Sequence, residues 1–121
     1  MTGKTILLVD DSPAQLRQLQ QALAGRGYQI MTAADGEEAL AKVSEQRPDL
    51  ILLDIILPKK NGFQVCRQIK TSPDTKNTKI LLMSNKSQDS DRFWGLKQGA
   101  DGYVTRPFNS EELAASVARH L

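Results

Sequence analysis

Residues 49–62 read DLILLDIILPKKNG, and this stretch decides the fold. Leu50 to Leu53 is an apolar run of strand length with no polar interruption, closed by Asp54. Such a run leaves no face for solvent, so the strand belongs to a sheet covered on both sides. Lys59 and Lys60 then lead into Asn61-Gly62, a solvated turn, after which apolar positions recur at helical spacing. Outward from here the alternation repeats. Strand-like runs fall at Thr5 to Val9, Gln29 to Ala33, Leu50 to Leu53, Ile80 to Ser84 and Gly102 to Thr105, each followed by a helix-like segment.

The helices carry their own start and stop signals. Ser12 caps the first, with Pro13 in the first turn, where its missing N–H costs nothing, and with Leu16, Leu19 and Leu23 inward. Gly25 or Gly27 ends it. Asp35 opens the second, and Glu38 three residues on predicts a capping box; Ala39, Leu40 and Val43 face inward, and Pro48 forbids continuation. The third runs from near Gly62 to Ile69. The fourth spans about Gln88 to Gln98, with Phe93 and Leu96 inward and Trp94 partly exposed. The last runs from Asn109 to the C-terminus with Leu113 and Val117 inward. Five such units in 121 residues fit an α/β fold: a flavodoxin-like, doubly wound, five-stranded parallel sheet of order 2-1-3-4-5 with five helices. That order puts the functional crevice at the carboxyl ends of strands 1 and 3.

The length suits one hydrophobic core, so residues 1–121 are read as a single domain. Apolar residues at 40% and charged residues at 25% match ordinary globular proteins, and no segment reads as an export signal or a membrane span. A cytoplasmic location is the expectation. Sixteen basic and 14 acidic residues are scattered without a basic stripe, which argues against direct nucleic-acid binding. The one cysteine, Cys66, shares a helical face with Phe63 and Ile69 and reads as a packed thiol.

The chemistry concentrates in three carboxylates. Strand 1 runs out into Asp10-Asp11 and strand 3 into Asp54, so all three meet beside the switch point. Close like charges oppose one another's ionisation, and such a cluster implies a bound cation or a shared proton. Magnesium, with manganese as the substitute, fits an open acidic crevice because it binds through one or two carboxylates plus waters and phosphate oxygens. Asp54 is then also available as a nucleophile. Read alone, Asp10 and Asp11 would be cap and turn residues, but Asp54 beside them outweighs that reading. Asp35, Asp49 and Asp101 read as cap or loop residues.

Four motifs, LLVDDSP at 7–13, DLILLDIILPKKNG at 49–62, LLMS at 81–84 and GADGYVTRPF at 99–108, together resemble a response-regulator receiver domain of the CheY-like kind. The resemblance covers nearly the whole chain. It implies that Asp54 accepts a phosphoryl group from a histidine kinase or phosphotransfer protein. It also implies that Asp11 and Asp54 ligate magnesium directly, that Asp10 helps through water, and that Ile56 offers its backbone carbonyl. Ser84 matches the switch hydroxyl, Tyr103 the aromatic switch, and Pro107 the residue after a cis peptide bond. Phosphorylation then alters the helix 4, strand 5 and helix 5 surface to regulate a protein target, with no direct role for nucleic acid or membrane. On this reading the chain is no enzyme beyond self-catalysed phosphoryl uptake and slow autodephosphorylation. Trp94-Gly95 and Gln98-Gly99-Ala100-Asp101 resemble the twitching-motility single-domain subgroup.

The main departure is Arg106, where the family typically has lysine. The charge survives, but a planar fork replaces a compact point charge, so the exchange is not conservative at a tight phosphate site. Altered phosphorylation kinetics or weakened switching is the expectation. Ile56 and Lys86 set the access of the hydrolysing water, and the apolar Ile56 predicts slow dephosphorylation. His120 sits in the final turn, suits the helix dipole and is given no phosphotransfer role. Two rival readings are a degenerate receiver that works without phosphorylation, suggested by Arg106, and a phosphatase of the haloacid-dehalogenase type. The phosphatase pattern needs Asp-x-Asp after strand 1, whereas Asp10 and Asp11 are adjacent.

Overall fold

The computed structural model describes residues 3–84 and 89–121, with side chains in the fourth helix described from Arg92 onward. Ten elements alternate: β1 (Thr5–Val9), α1 (Pro13–Leu23), β2 (Gln29–Ala33), α2 (Gly36–Gln46), β3 (Leu50–Asp54), α3 (Gly62–Thr71), β4 (Lys79–Ser84), α4 (Asp89–Lys97), β5 (Gly102–Thr105) and α5 (Ser110–His120). The strands form one parallel sheet in the order β2-β1-β3-β4-β5, the doubly wound arrangement that the alternation predicts.

Strand alternation divides the core in two. Ile6, Leu8, Leu50, Leu52, Leu81 and Met83 face Leu19 and Leu23 of α1 and Leu113 and Val117 of α5. Leu7, Val9, Ile51, Leu53, Ile80 and Leu82 turn the other way, toward Val43 of α2 and Val65, Cys66 and Ile69 of α3. Every residue of β3 is buried, which accounts for its unbroken apolar sequence. Burying each such side chain stabilises the fold by roughly 1.5–3 kcal/mol, so the central strands form a firm base for whatever stands on their ends.

The register sets those ends level. Val9 lies opposite Leu53, Asp54 opposite Met83, and Ser84 opposite Thr105. Asp10, Asp54, Ser84 and Arg106 therefore occupy one rim of the sheet.

The helix starts follow local chemistry. Ser12 accepts a hydrogen bond from the Gln15 amide at 3.3 Å, and Gly25 follows the end of α1 with a φ of +75°. Asp35 accepts from the Glu38 amide at 2.8 Å, but the Glu38 carboxylate accepts from Ala34, one residue before the cap. The predicted capping box is thus displaced by one residue. A complete box stands instead at α3, where Asn61 accepts from the Gln64 amide at 2.9 Å and Gln64 accepts from the Asn61 amide at 3.0 Å.

α4 corrects an expectation. Phe93 and Leu96 do not point inward: they are 54% and 55% exposed, and Trp94 is 54% exposed. Gly95 takes the inward position, so close to the sheet that an added Cβ would lie 2.6 Å from Leu82 Cδ1. At about 100° per residue, an inward Gly95 throws Trp94 and Leu96 to the flanks and Phe93 to the far side. Gln88, the expected start of this helix, lies outside the described residues.

Candidate functional site

Parallel strands end with their carbonyls and following residues on one rim, and here that rim is acidic. Asp10 directly follows β1, Asp11 comes next, and Asp54 is the last residue of β3. One carboxylate oxygen from each lies within 4.8 Å of the others. Asp10 is 1% and Asp54 9% exposed, whereas Asp11 is open to solvent. Backbone donors orient the buried pair. The Ser12 amide donates to Asp10 Oδ1 at 2.9 Å, and the Ile56 amide donates to Asp54 Oδ1 at 3.2 Å.

Arg106, just past β5, reaches back into this cluster and is only 7% exposed. Its Nη2 donates to Asp10 Oδ2 at 2.5 Å and its Nη1 to Asp54 Oδ2 at 3.4 Å. Its own amide donates to the Ser84 carbonyl at 2.7 Å, which fixes the β5 end against β4. The Arg106–Pro107 peptide bond is cis.

Burial raises the Asp54 carboxyl above its ordinary range; the Arg106 guanidinium opposes this, the Asp10 charge adds to it, and the Ile56 N–H lowers it. The site fits a divalent cation on two observations. Three carboxylates stand against one guanidinium, and that guanidinium, seated on two of the acids, shows that the pocket receives a positive group. The oxygen-only donor set suits a hard ion.

The residues expected to form the switch, Ser84 and Tyr103, lie on β4 and β5. Ser84 is buried at the end of β4. Tyr103, half-buried on β5, packs against the core beneath the Arg92 guanidinium of α4, 5.3 Å from its ring centroid. The Ile56 side chain is 75% exposed, and its hydrogen bond to the acids is through its backbone amide. Lys86 lies outside the described residues.

Several other charges are structural. Lys59 pairs with Asp35 at 3.8 Å and Glu37 at 3.7 Å. Asp49 accepts from the Thr5 amide at 2.8 Å, a bond to the start of β1 rather than the local turn cap that its position suggests. Asp101 accepts from the Ile80 amide and from Lys70 Nζ, both at 2.8 Å, and so ties α3, β4 and β5 together. Lys70 has no local sequence signal, because Asp101 is distant along the chain. Cys66 is buried, and burial pushes its thiol up to about 11. A cleft of about 490 Å³ that sequence reasoning missed is lined by Gln15, Gln18 and Gln21 of α1 with Arg106, Pro107 and Phe108; Arg106 is the lining residue that also contacts the acids. The three-residue spacing of those glutamines was its one available signal.

A rim of this kind on this sheet defines the phospho-accepting receivers of two-component signalling, and the chain belongs to the response regulator receiver domain family, which it matches over residues 6–118. Receivers of this family bind magnesium at an acidic pocket. Protein PilH of Pseudomonas aeruginosa, of the twitching-motility single-domain group, is 36% identical over 112 residues, covering 93% of this chain and 93% of PilH. The alkaline phosphatase synthesis transcriptional regulatory protein PhoP of Bacillus subtilis is 43% identical over 115 residues, covering 95% of this chain but 47% of PhoP. The chemotaxis response regulator CheY4 of Vibrio cholerae superposes with a TM-score of 0.93 at 34% identity, covering 99% of this chain and all of CheY4. None of these likenesses favours the phosphatase or the degenerate receiver. No helix among the described residues is long and apolar enough to cross a membrane.

Proposed function

We propose that residues 1–121 work as one cytoplasmic receiver that takes a phosphoryl group onto Asp54 from a phosphohistidine of a kinase or phosphotransfer protein. The observation that carries this is the convergence of Asp10, Asp11 and Asp54 within 4.8 Å at the rim. An Asp54 oxygen attacks phosphorus, the P–N bond breaks, and the departing imidazole keeps the electron pair and takes a proton. Water later attacks the same phosphorus, returning the carboxylate and inorganic phosphate. Asp11 and Asp54 would hold magnesium, or manganese, directly, with Asp10 helping through water and Ile56 through its carbonyl, and a bound ion would supply neutralisation of the charge on the transferring group.

Arg106 and Ser84 receive the phosphoryl oxygens. The phosphoryl group carries roughly 1.5 to 2 negative charges and three acceptor oxygens where the carboxylate carried a single charge, enough to draw both toward it. Ser84 lies on β4 beside β5, and Tyr103 is on β5 under Arg92 of α4, so a shift at Ser84 changes the α4, β5 and α5 surface that a protein target reads. Similarity to PilH over nearly its full length supports a stand-alone role, without DNA or membrane contact.

The test is incubation with magnesium and acetyl phosphate, followed by intact-mass measurement. Wild type gains one phosphoryl group and Asp54→Ala gains none; equal labelling of both removes Asp54 as acceptor.

A further inference from the structure

We infer that Gly36, the first residue of α2, is a positioning residue for the metal: its missing side chain lets the loop between β3 and α3 close against α2, which sets where Ile56 stands at the rim. The inference rests on the metal reading proposed above, in which Ile56 offers its carbonyl, and concerns what holds that carbonyl in place.

The loop is pinned on three sides. Toward the sheet, the Ile55 amide donates to the Met83 carbonyl at 3.1 Å and the Ile56 amide to Asp54 Oδ1 at 3.2 Å. Toward α3, the Gly62 amide donates to the Ile55 carbonyl at 2.7 Å. Toward α2, the Pro58 carbonyl accepts from the Lys60 amide at 2.8 Å and from the Gly36 amide at 3.3 Å. One residue, Leu57, separates Ile56 from Pro58, and the peptide planes between them are rigid, so a displacement of Pro58 turns the Ile56 carbonyl. Lys59 crosses the same seam, pairing with Asp35 at 3.8 Å and Glu37 at 3.7 Å, the two neighbours of Gly36.

Position 36 is a glycine for want of space. Its φ lies outside the left-handed region that Gly25, Gly27 and Gly99 occupy, so the backbone conformation does not demand glycine, which is also a poor helix former. A Cβ there would lie 2.2 Å from the Lys60 carbonyl oxygen, 2.8 Å from Lys60 Cβ and 3.0 Å from the Lys60 carbonyl carbon. The nearest obstacle is backbone, and ordinary contact requires a retreat of about 1 Å. Buried Ala39 and Val43 fix α2 to the core, whereas Pro58 and Lys59 are exposed, so the loop is the partner that moves.

Magnesium demands near-ideal octahedral geometry, whereas calcium accepts varied ligand positions. A displaced backbone ligand therefore weakens magnesium more than calcium. General loosening of the fold acts on both ions alike, because they carry the same charge and use the same acids.

The experiment titrates magnesium alone, then calcium alone, into wild type, Gly36→Ala and Gly25→Ala by calorimetry, with circular dichroism reporting the fold. Gly36→Ala is expected to lose about tenfold in magnesium affinity, the scale for removing support from a metal ligand, and much less in calcium affinity. Gly25→Ala, with nothing within 4 Å of its Cβ, should bind both ions as wild type does. In wild type, hydrogen exchange of the Gly36 amide should slow at saturating magnesium more than that of Glu38, whose amide is held by Asp35 rather than by the loop. Where Gly36→Ala does not fold, this second measurement decides alone. Wild-type magnesium affinity in Gly36→Ala, an equal loss for both ions, or equal slowing at Gly36 and Glu38 overturns the inference while leaving the metal site standing. Absence of magnesium binding in wild type removes the metal reading, and the inference with it.

Discussion

Gly62→Ala tests whether the start of α3 and the end of β3 form one unit that positions Asp54. A Cβ built on Gly62 would lie 2.4 Å from the Asp54 carbonyl oxygen, 2.7 Å from Ile55 Cα and 3.0 Å from the Asp54 carbonyl carbon. All three obstacles are backbone, so no side-chain rotation relieves them. Ordinary contact begins near 3.4 Å, and the helix start must therefore retreat by about 1 Å. The Gly62 amide donates to the Ile55 carbonyl at 2.7 Å, and a retreat of that size takes it past hydrogen-bonding range. Losing the bond costs about 1 kcal/mol and overpacking about 1–3 kcal/mol. Alanine's better helix propensity returns about 1 kcal/mol, leaving a net destabilisation of roughly 1–3 kcal/mol. Urea denaturation followed by far-UV circular dichroism measures it. Gly25→Ala is the control, because its φ is +75° with nothing within 4 Å of a Cβ, so it reports backbone strain away from the site. Because the displaced atoms belong to Asp54 itself, Gly62→Ala should also weaken uptake of beryllofluoride with magnesium, and Gly25→Ala should not. Wild-type stability for Gly62→Ala, or a destabilised variant that still takes beryllofluoride normally, refutes the reasoning.

The remaining predictions concern charge, solvent access and burial. Burial alone would raise the Asp101 carboxyl, but hydrogen bonds from Lys70 and the Ile80 amide, with the Lys70 and Lys79 charges, hold it below its ordinary value. A depressed carboxyl stabilises the fold above its unfolded value and ceases to as pH falls through the folded one. Asp101→Asn should therefore cost about 1–2 kcal/mol at neutral pH, a gap that narrows below about pH 4 in urea titrations; an undiminished gap there contradicts the assignment. Ile56→Asn places an amide beside Asp54 that can position the hydrolysing water, so the phosphorylated variant should lose phosphate faster in an intact-mass time course, and an unchanged half-life counts against Ile56 as a barrier. Cys66, with its thiol pushed to about 11, should resist a thiol reagent at pH 8 until urea unfolds the chain. Rapid labelling of the native protein would place that thiol outside the core.

What was legible in the sequence was whatever depends on position along a strand. The unbroken run Leu50 to Leu53 records burial on both faces of β3, and Asp54 at its end, with Asp10 and Asp11 at the end of β1, converge because parallel strands of matched register finish at one level. What stayed hidden depends on which partner a side chain finds in space. Phe93 and Leu96 carry the apolar spacing of an inward face, yet the close approach of Gly95 to Leu82 decides the rotation of α4, and a glycine contributes nothing to an apolar pattern. Asp101 looks like a loop acid until Lys70 arrives from α3. Arg106 shows the limit most sharply: its charge is readable, but the two acids it grips come from the ends of different strands. Only the folded register decides that one guanidinium spans Asp10 and Asp54, making the residue expected to greet the phosphoryl group also the one that occupies its acceptor beforehand.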